Sequence, residues 1–131
     1  MHKTNTYSES VLLVGVAQLD TDRIKVLHSL DELESLTETA GGTVKSKIYQ
    51  IRDKIDAKYY IGKGKLLDIK TDCENNKINL VIFDEEISAS QQRNLEEFLK
   101  IRVIDRTALI LDIFALHASS NEAKMQIELA Q

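Results

Sequence analysis

The chain of 131 residues has no proline, no tryptophan, one cysteine, five glycines and only 5% aromatic residues. Without proline, no element carries an internal breaker. A lone Cys73 excludes an internal disulfide framework and fits a reducing, cytoplasmic setting. One cysteine and three scattered histidines give no ligand set for a structural zinc. No apolar run approaches the ~18 residues of a membrane-spanning helix. The start, Met1-His2-Lys3-Thr4-Asn5, lacks the apolar stretch of a signal peptide, so no membrane partner is expected. The net charge of −4 gives no overall attraction to nucleic acid or anionic lipid.

What is present is ordinary globular material, 43% hydrophobic and 29% charged. A domain of this length buries roughly two thirds of its unfolded surface and needs no staples. The charge is unevenly placed. Residues 43–70 carry Lys45, Lys47, Arg52, Lys54, Lys58, Lys63, Lys65 and Lys70 against three aspartates, a local +5, which leaves −9 elsewhere. Such a segment can present a phosphate-binding face on an otherwise acidic molecule. A solvated strand and turn would carry the same residues.

Hydrophobic patterning predicts alternating strands and helices. Residues 1–10 read as a flexible start. Val11 to Val16 is a continuous, β-branched apolar run, as in a strand buried on both faces. Ser29 and Glu32 have capping-box spacing, which predicts a helix from about residue 30 to Ala40, stopped by Gly41-Gly42. Thr43–Arg52 reads as an edge strand, with Val44 and Ile48 on one face and Lys45 and Lys47 on the other. Tyr59-Tyr60-Ile61 reads as a short extended piece leading into the turn Gly62-Lys63-Gly64-Lys65 and a helix to Asn76. Leu80–Phe83, a helix capped by Ser88 and Gln91 and closed at Lys100, Val103-Ile104 and a helix over 108–118 follow. This alternation implies a three-layer α/β domain over residues 11–118, with a roughly four-stranded, mainly parallel sheet in the order 2-1-3-4. Ser119 and Glu122, then Ala123, Ile127 and Ala130, predict an arm helix over 119–131 that the sequence cuts short.

Few residues suggest chemistry. Gly62-Lys63-Gly64-Lys65 could let amides and lysines meet a phosphate, but it matches neither the P-loop nor the dinucleotide spacing. Asp84, Glu85 and Glu86 follow the third strand, and Asp105 and Arg106 the fourth. That is the edge where open α/β sheets hold ligands. There they could hold magnesium or a substrate, or simply cap and pair. Cys73, His28 and His117 form no recognisable nucleophile or triad, so no residue is assigned a catalytic role and none a metal.

Five blocks carry a resemblance: Leu33–Gly41 (LESLTETAG), Tyr60–Lys65 (YIGKGK), Phe83–Leu95 (FDEEISASQQRNL), Val103–Ala115 (VIDRTALILDIFA) and Lys124–Gln131 (KMQIELAQ). In this order the chain resembles the N-terminal part of the HflX family of ribosome-associated GTPases. The resemblance implies an α/β N-terminal domain, then a coiled-coil arm, then a G domain holding GTP and magnesium. It implies binding to the large ribosomal subunit and its rRNA, ribosome splitting and stress recovery. It also implies contact with the protein's own G domain. No residue of the GTP site falls within these 131 positions. His117 departs from the basic residue of the family pattern. On this reading Lys45, Lys47, Arg52, Gly62, Lys63, Gly64 and Lys65 are candidate contacts to RNA phosphates. Two alternatives stay open: an ATP-binding domain with hydrolytic or RNA-remodelling activity of its own, and a homodimer formed through the arm helix.

Overall fold

The computed structural model describes residues 10–115. Strand β1 (Ser10–Ala17) is followed by a single 3-10 turn (Asp20–Asp22) and helix α1 (Arg23–Thr39). Then come β2 (Thr43–Ile51), α2 (Lys63–Asn75), β3 (Leu80–Phe83), α3 (Ala89–Leu99), β4 (Arg102–Asp105) and a helical segment over 106–115, here α4. The four strands form one sheet in the order β2-β1-β3-β4, and every pairing is parallel. This matches the architecture and strand order expected from the alternation. The expectations for residues 1–9 and for the arm over 119–131, with His117, lie outside the described residues.

The alternating side chains of β1 divide the core in two. Leu12, Val14 and Val16 pack with Leu66, Ile69, Val81, Phe83, Leu95 and Val103 beneath α2 and α3. Val11, Leu13 and Ala17 pack with Val26, Leu30, Leu33, Ile82, Ile104 and Leu109 beneath α1 and α4. Both faces of β1 and β3 are therefore dry, which is why these strands read as unbroken apolar runs. Gly15 lies where α1 crosses the sheet. A Cβ there would come 2.8 Å from Cγ1 of Val26.

Three local expectations are corrected. Helix α1 begins at Arg23, about two turns before residue 30, and Ser29 sits inside it rather than capping it. Its inward stripe is Val26, Leu30, Leu33 and Thr37, but Ile24 and Leu27 are 69% and 41% exposed and blur that stripe in the sequence. Second, Val44 and Ile48 do not share a face. The β1–β2 register slips between Val11 and Leu12, so Val44 opposes Val11 and Ser46 opposes Leu12. This bulge at Lys45 inverts the parity of everything after it. Val44 joins the α1 side and Ile48 the α2 side. Third, Tyr59-Tyr60-Ile61 is no strand. It closes a tight loop through a single antiparallel bridge between Asp56 and Tyr60, with Tyr60 in the left-handed region at φ 68°.

Gly62-Lys63-Gly64-Lys65 is not a free-standing turn either: α2 starts at Lys63 with Gly62 as its N-cap, so the last three of these residues form the helix's first turn. The other stops and caps are as expected. Gly41 ends α1 at φ 101°. Ser88 and Gln91 make the reciprocal capping box of α3, and Lys100 closes that helix in the left-handed region. α2 stops at Asn75-Asn76.

Candidate functional site

All strands being parallel, their carboxyl ends share one edge of the sheet. There β1 leads into α1 on one face, while β3 leads into α3 on the other. Neighbouring strands whose connections diverge in this way leave a crevice between them. Two hollows occupy this edge, separated by the loop of residues 52–61.

That loop is held firmly. The Asp56 carboxylate accepts from the amides of Lys58 and Tyr59 at 3.0 and 2.7 Å. From α3, Gln91 Nε2 donates to the Asp56 carbonyl at 2.9 Å, and Asn94 Nδ2 to the Lys58 carbonyl at 3.1 Å. Tyr59 and Tyr60 pack edge-on against Phe98 and Phe83, with centroids 5.9 and 5.8 Å apart.

The first hollow, about 690 Å³, is lined by Arg52, Asp56, Lys58, Tyr59, Ile61 and Lys63. It is a basic groove: three cations face one carboxylate, and that carboxylate already accepts two amides. Arg52 Nε donates to the Lys54 carbonyl at 2.7 Å, which fixes its guanidinium. Gly62 begins α2 as its N-cap and has no side chain to cap the following amides. The groove therefore adjoins the positive end of a 13-residue helix. The Gly62 amide donates to Gln50 Oε1 at 3.0 Å. A Cβ on Gly62 would lie 2.3 Å from Arg52 Nη1, so glycine is what allows the guanidinium to lie over the backbone. At Gly64 a Cβ would meet open space.

Of the sequence candidates, the structure gathers Arg52, Gly62, Lys63, Gly64 and Lys65 around the start of α2. It does not bring Lys45 or Lys47 to them. Lys45 sits near the beginning of β2, about 23 Å along an extended strand from Arg52. Lys47 Nζ is paired with Glu34 at 2.7 Å and Asp31 at 3.0 Å, tying β2 to α1. Those hydrogen bonds raise its pKa above the usual lysine value. Lys58 and Tyr59 join the groove instead. Their proximity rests on the loop's fold, and their only mark in the sequence is membership of the basic segment.

The second hollow is a cleft of about 540 Å³ between the ends of β1 and β3. Polar groups from Gln18, Asp22, Lys25, Ser29, Tyr60 and Glu85 line it, over an apolar floor of Val16, Val26 and Ile55. Asp84 reaches its wall but is engaged by Arg106, whose Nε and Nη2 each lie 2.8 Å from Asp84 Oδ1. The same Nη2 donates to the carbonyl and hydroxyl oxygens of Ser29 at 2.8 and 3.0 Å. Arg106 thus clamps α4, α1 and the end of β3 together. Asp105 is structural as well: it accepts from the amides of Ile87 and Ala108 at 3.1 and 3.0 Å, fixing the β3–α3 loop and the start of α4. Glu86 is exposed. Among the described residues no three His, Cys, Asp or Glu side chains converge as a metal site.

Burial, then the Asp84 charge, pushes the Glu85 carboxyl up to about 7, against the pull of the backbone amides of Val16 and Glu85 and of Arg106. Burial, with Glu85 and Asp84, pushes the Tyr60 hydroxyl up to about 12. Cys73 lies on the buried face of α2, and burial raises its thiol to about 11, so it is a poor nucleophile. No helix among the described residues is long and apolar enough to cross a membrane.

Comparison with known proteins places these features in a family. Residues 27–115 match the family described as "GTP-binding GTPase N-terminal". The chain is 48% identical over 123 residues to the GTPase HflX of Alkalihalophilus pseudofirmus, covering 94% of this chain and 29% of that protein. It is 43% identical over 107 residues to the GTPase HflX of Escherichia coli, covering 82% of this chain and 25% of that one. It also superposes on the crystal structure of a GTP-binding protein from the archaeon Sulfolobus solfataricus in complex with GDP. There the TM-score is 0.60 and the identity 34%, over 92% of this chain and 35% of the other. The chain spans under a third of the length of the curated relatives it matches. With 89 consecutive residues matched, the chain belongs to the family of GTPase N-terminal domains carried by HflX proteins.

Proposed function

We propose that this chain is the RNA-contacting, regulatory N-terminal module of an HflX-like GTPase and performs no catalysis itself. Its parent would hydrolyse GTP with magnesium in a separate G domain, engage the large ribosomal subunit in the cytoplasm, and act in ribosome splitting and stress recovery. The observation that carries the RNA reading is the basic groove: Arg52, Lys58 and Lys63 around Tyr59, beside the uncapped start of α2. Phosphate oxygens are the natural partners of such a surface, since guanidinium, ammonium and free amides all donate to them. Lys65 extends the surface by half a turn. Lys45 and Lys47 contribute less, the first by distance and the second through its ion pairs.

The test is filter binding to ribosomal RNA, with Lys45, Lys47, Arg52, Lys63 and Lys65 each changed to Glu. Loss is expected at Arg52, Lys63 and Lys65. Unchanged affinity and salt dependence in those three variants would remove the reading.

A second reading has one observation in its favour. Leu111 and Phe114 on α4 are 61% and 64% exposed, an apolar face suited to another helix. It would make the module an interaction unit, and light scattering at two concentrations separates the two readings.

A further inference from the structure

The basic groove holds one group that phosphate contacts leave unexplained, an aromatic ring. Tyr49, Tyr59 and Tyr60 all fall in the basic segment, and the fold sorts them. Tyr49 packs on the α1 side of the sheet, while Tyr60 meets Phe83 edge-on and lines the other hollow. Of the three, Tyr59 alone shares the groove with Arg52, Lys58 and Lys63. Its side chain is half-buried. Phe98 meets the ring from the core at 5.9 Å, and Lys58 Nζ stands 5.3 Å from its centroid. Lys58 is exposed on a flexible stem, so it yields that place readily. The ring cannot retreat in the same way. Its loop is pinned by the Asp56 carboxylate and by Gln91 and Asn94 of α3. A fixed aromatic surface among cations is preorganised for a flat partner, and little ordering remains at binding.

We propose, resting on the RNA reading of the groove, that its ligand is a single strand: one unpaired base stacks on Tyr59 while the flanking phosphates meet Arg52 and Lys63. Every base has a π-face, so such stacking tolerates any sequence. In an A-form duplex the faces are covered by neighbouring bases, and the grooves display only base edges and 2′-hydroxyls. A duplex can therefore bring phosphates to Arg52 and Lys63 but nothing to Tyr59. Lys58, displaced from the ring, is left to reach a phosphate of its own. The cations attract any RNA, and the ring adds a preference for loops, bulges and ends. The groove thus selects by strandedness and not by sequence.

The experiment is fluorescence anisotropy of the chain with a labelled, mixed-sequence RNA of about twelve nucleotides, alone and annealed to its complement. The single strand is expected to bind roughly tenfold more tightly than the duplex. Tyr59→Leu should weaken the strand roughly tenfold and leave the duplex and the salt slope unchanged, since a stacked base releases no counterions. Tyr59→Phe keeps the ring and should bind like the parent. NMR of the strand tests stacking without any variant, because base protons lying over the ring of the parent protein should move upfield. Equal affinity for strand and duplex, a Tyr59→Leu variant that binds the strand like the parent, or base protons that stay in place would each overturn the proposal and leave the RNA reading standing. Binding of both RNAs untouched by Arg52→Gln/Lys63→Gln would remove that reading and the proposal together.

Discussion

At the scale of single residues, the most informative position is Glu85. Its carboxyl is neutral in the fold up to about pH 7 but ionises near its ordinary value of 4.5 in the unfolded chain. The native state therefore binds more protons between those values, and stability falls as pH rises through that window. Glu85→Gln removes the burial of charge. It should melt higher than the parent by about 1–2 kcal/mol at pH 8, after allowance for partial solvation, and no higher at pH 4. Melting curves at the two pH values check this. Arg106 shows the opposite logic. Asp84, its side chain only 3% exposed, depends on that guanidinium. Arg106→Met strands a buried carboxylate and should cost about 3 kcal/mol, while adding Asp84→Asn should restore much of it. Denaturant titration of the single and double variants measures the coupling. Gly62 joins residue chemistry to the groove. Gly62→Ala should displace the Arg52 guanidinium and weaken RNA binding at little cost in melting temperature, since the clash falls on the far end of a long side chain and not on backbone.

At the scale of elements, stability is set by boundaries and packing. The α3 capping box satisfies two orphan amides at once. Ser88→Ala should cost about 1 kcal/mol, which urea denaturation can resolve. The same element shows what was legible in the sequence: a capping pair directly before an apolar stripe declares its own helix. Ser29 and Glu32 have the same spacing but lie mid-helix, because spacing alone cannot tell a cap from an interior turn that already has its amides bonded. The sheet order was legible because β1 and β3 are apolar on both faces while β2 carries charge, which places β2 outermost. The bulge at Lys45 was not legible. A register slip is decided by strand pairing, and nothing in residues 43–48 marks it. For the same reason the face on which each β2 lysine lies could not be read, and with it the pairing of Lys47 to α1.

At the scale of the whole molecule, the net charge of −4 conceals two hollows of opposed charge on one sheet edge. The basic groove and the acidic cleft are back to back across the loop of residues 52–61, which contributes Tyr59 to one and Tyr60 to the other. The sequence marked Arg52 and Lys63 of the groove and Asp84 and Glu85 of the cleft as site candidates, but not Lys58, Asp22 or Lys25, which join them only through the fold of the loop and the early start of α1. Arg106 ties the wall of the cleft to α4. The RNA account stands on the groove alone, and counterion release tests it most directly. Affinity for ribosomal RNA should be measured from 50 to 300 mM salt for the parent, the double variant Arg52→Gln/Lys63→Gln, and Lys47→Gln. The account predicts that the double variant binds more weakly and that its log–log salt slope is shallower by about 2, while Lys47→Gln follows the parent. A double variant with the parent's affinity and slope would contradict it.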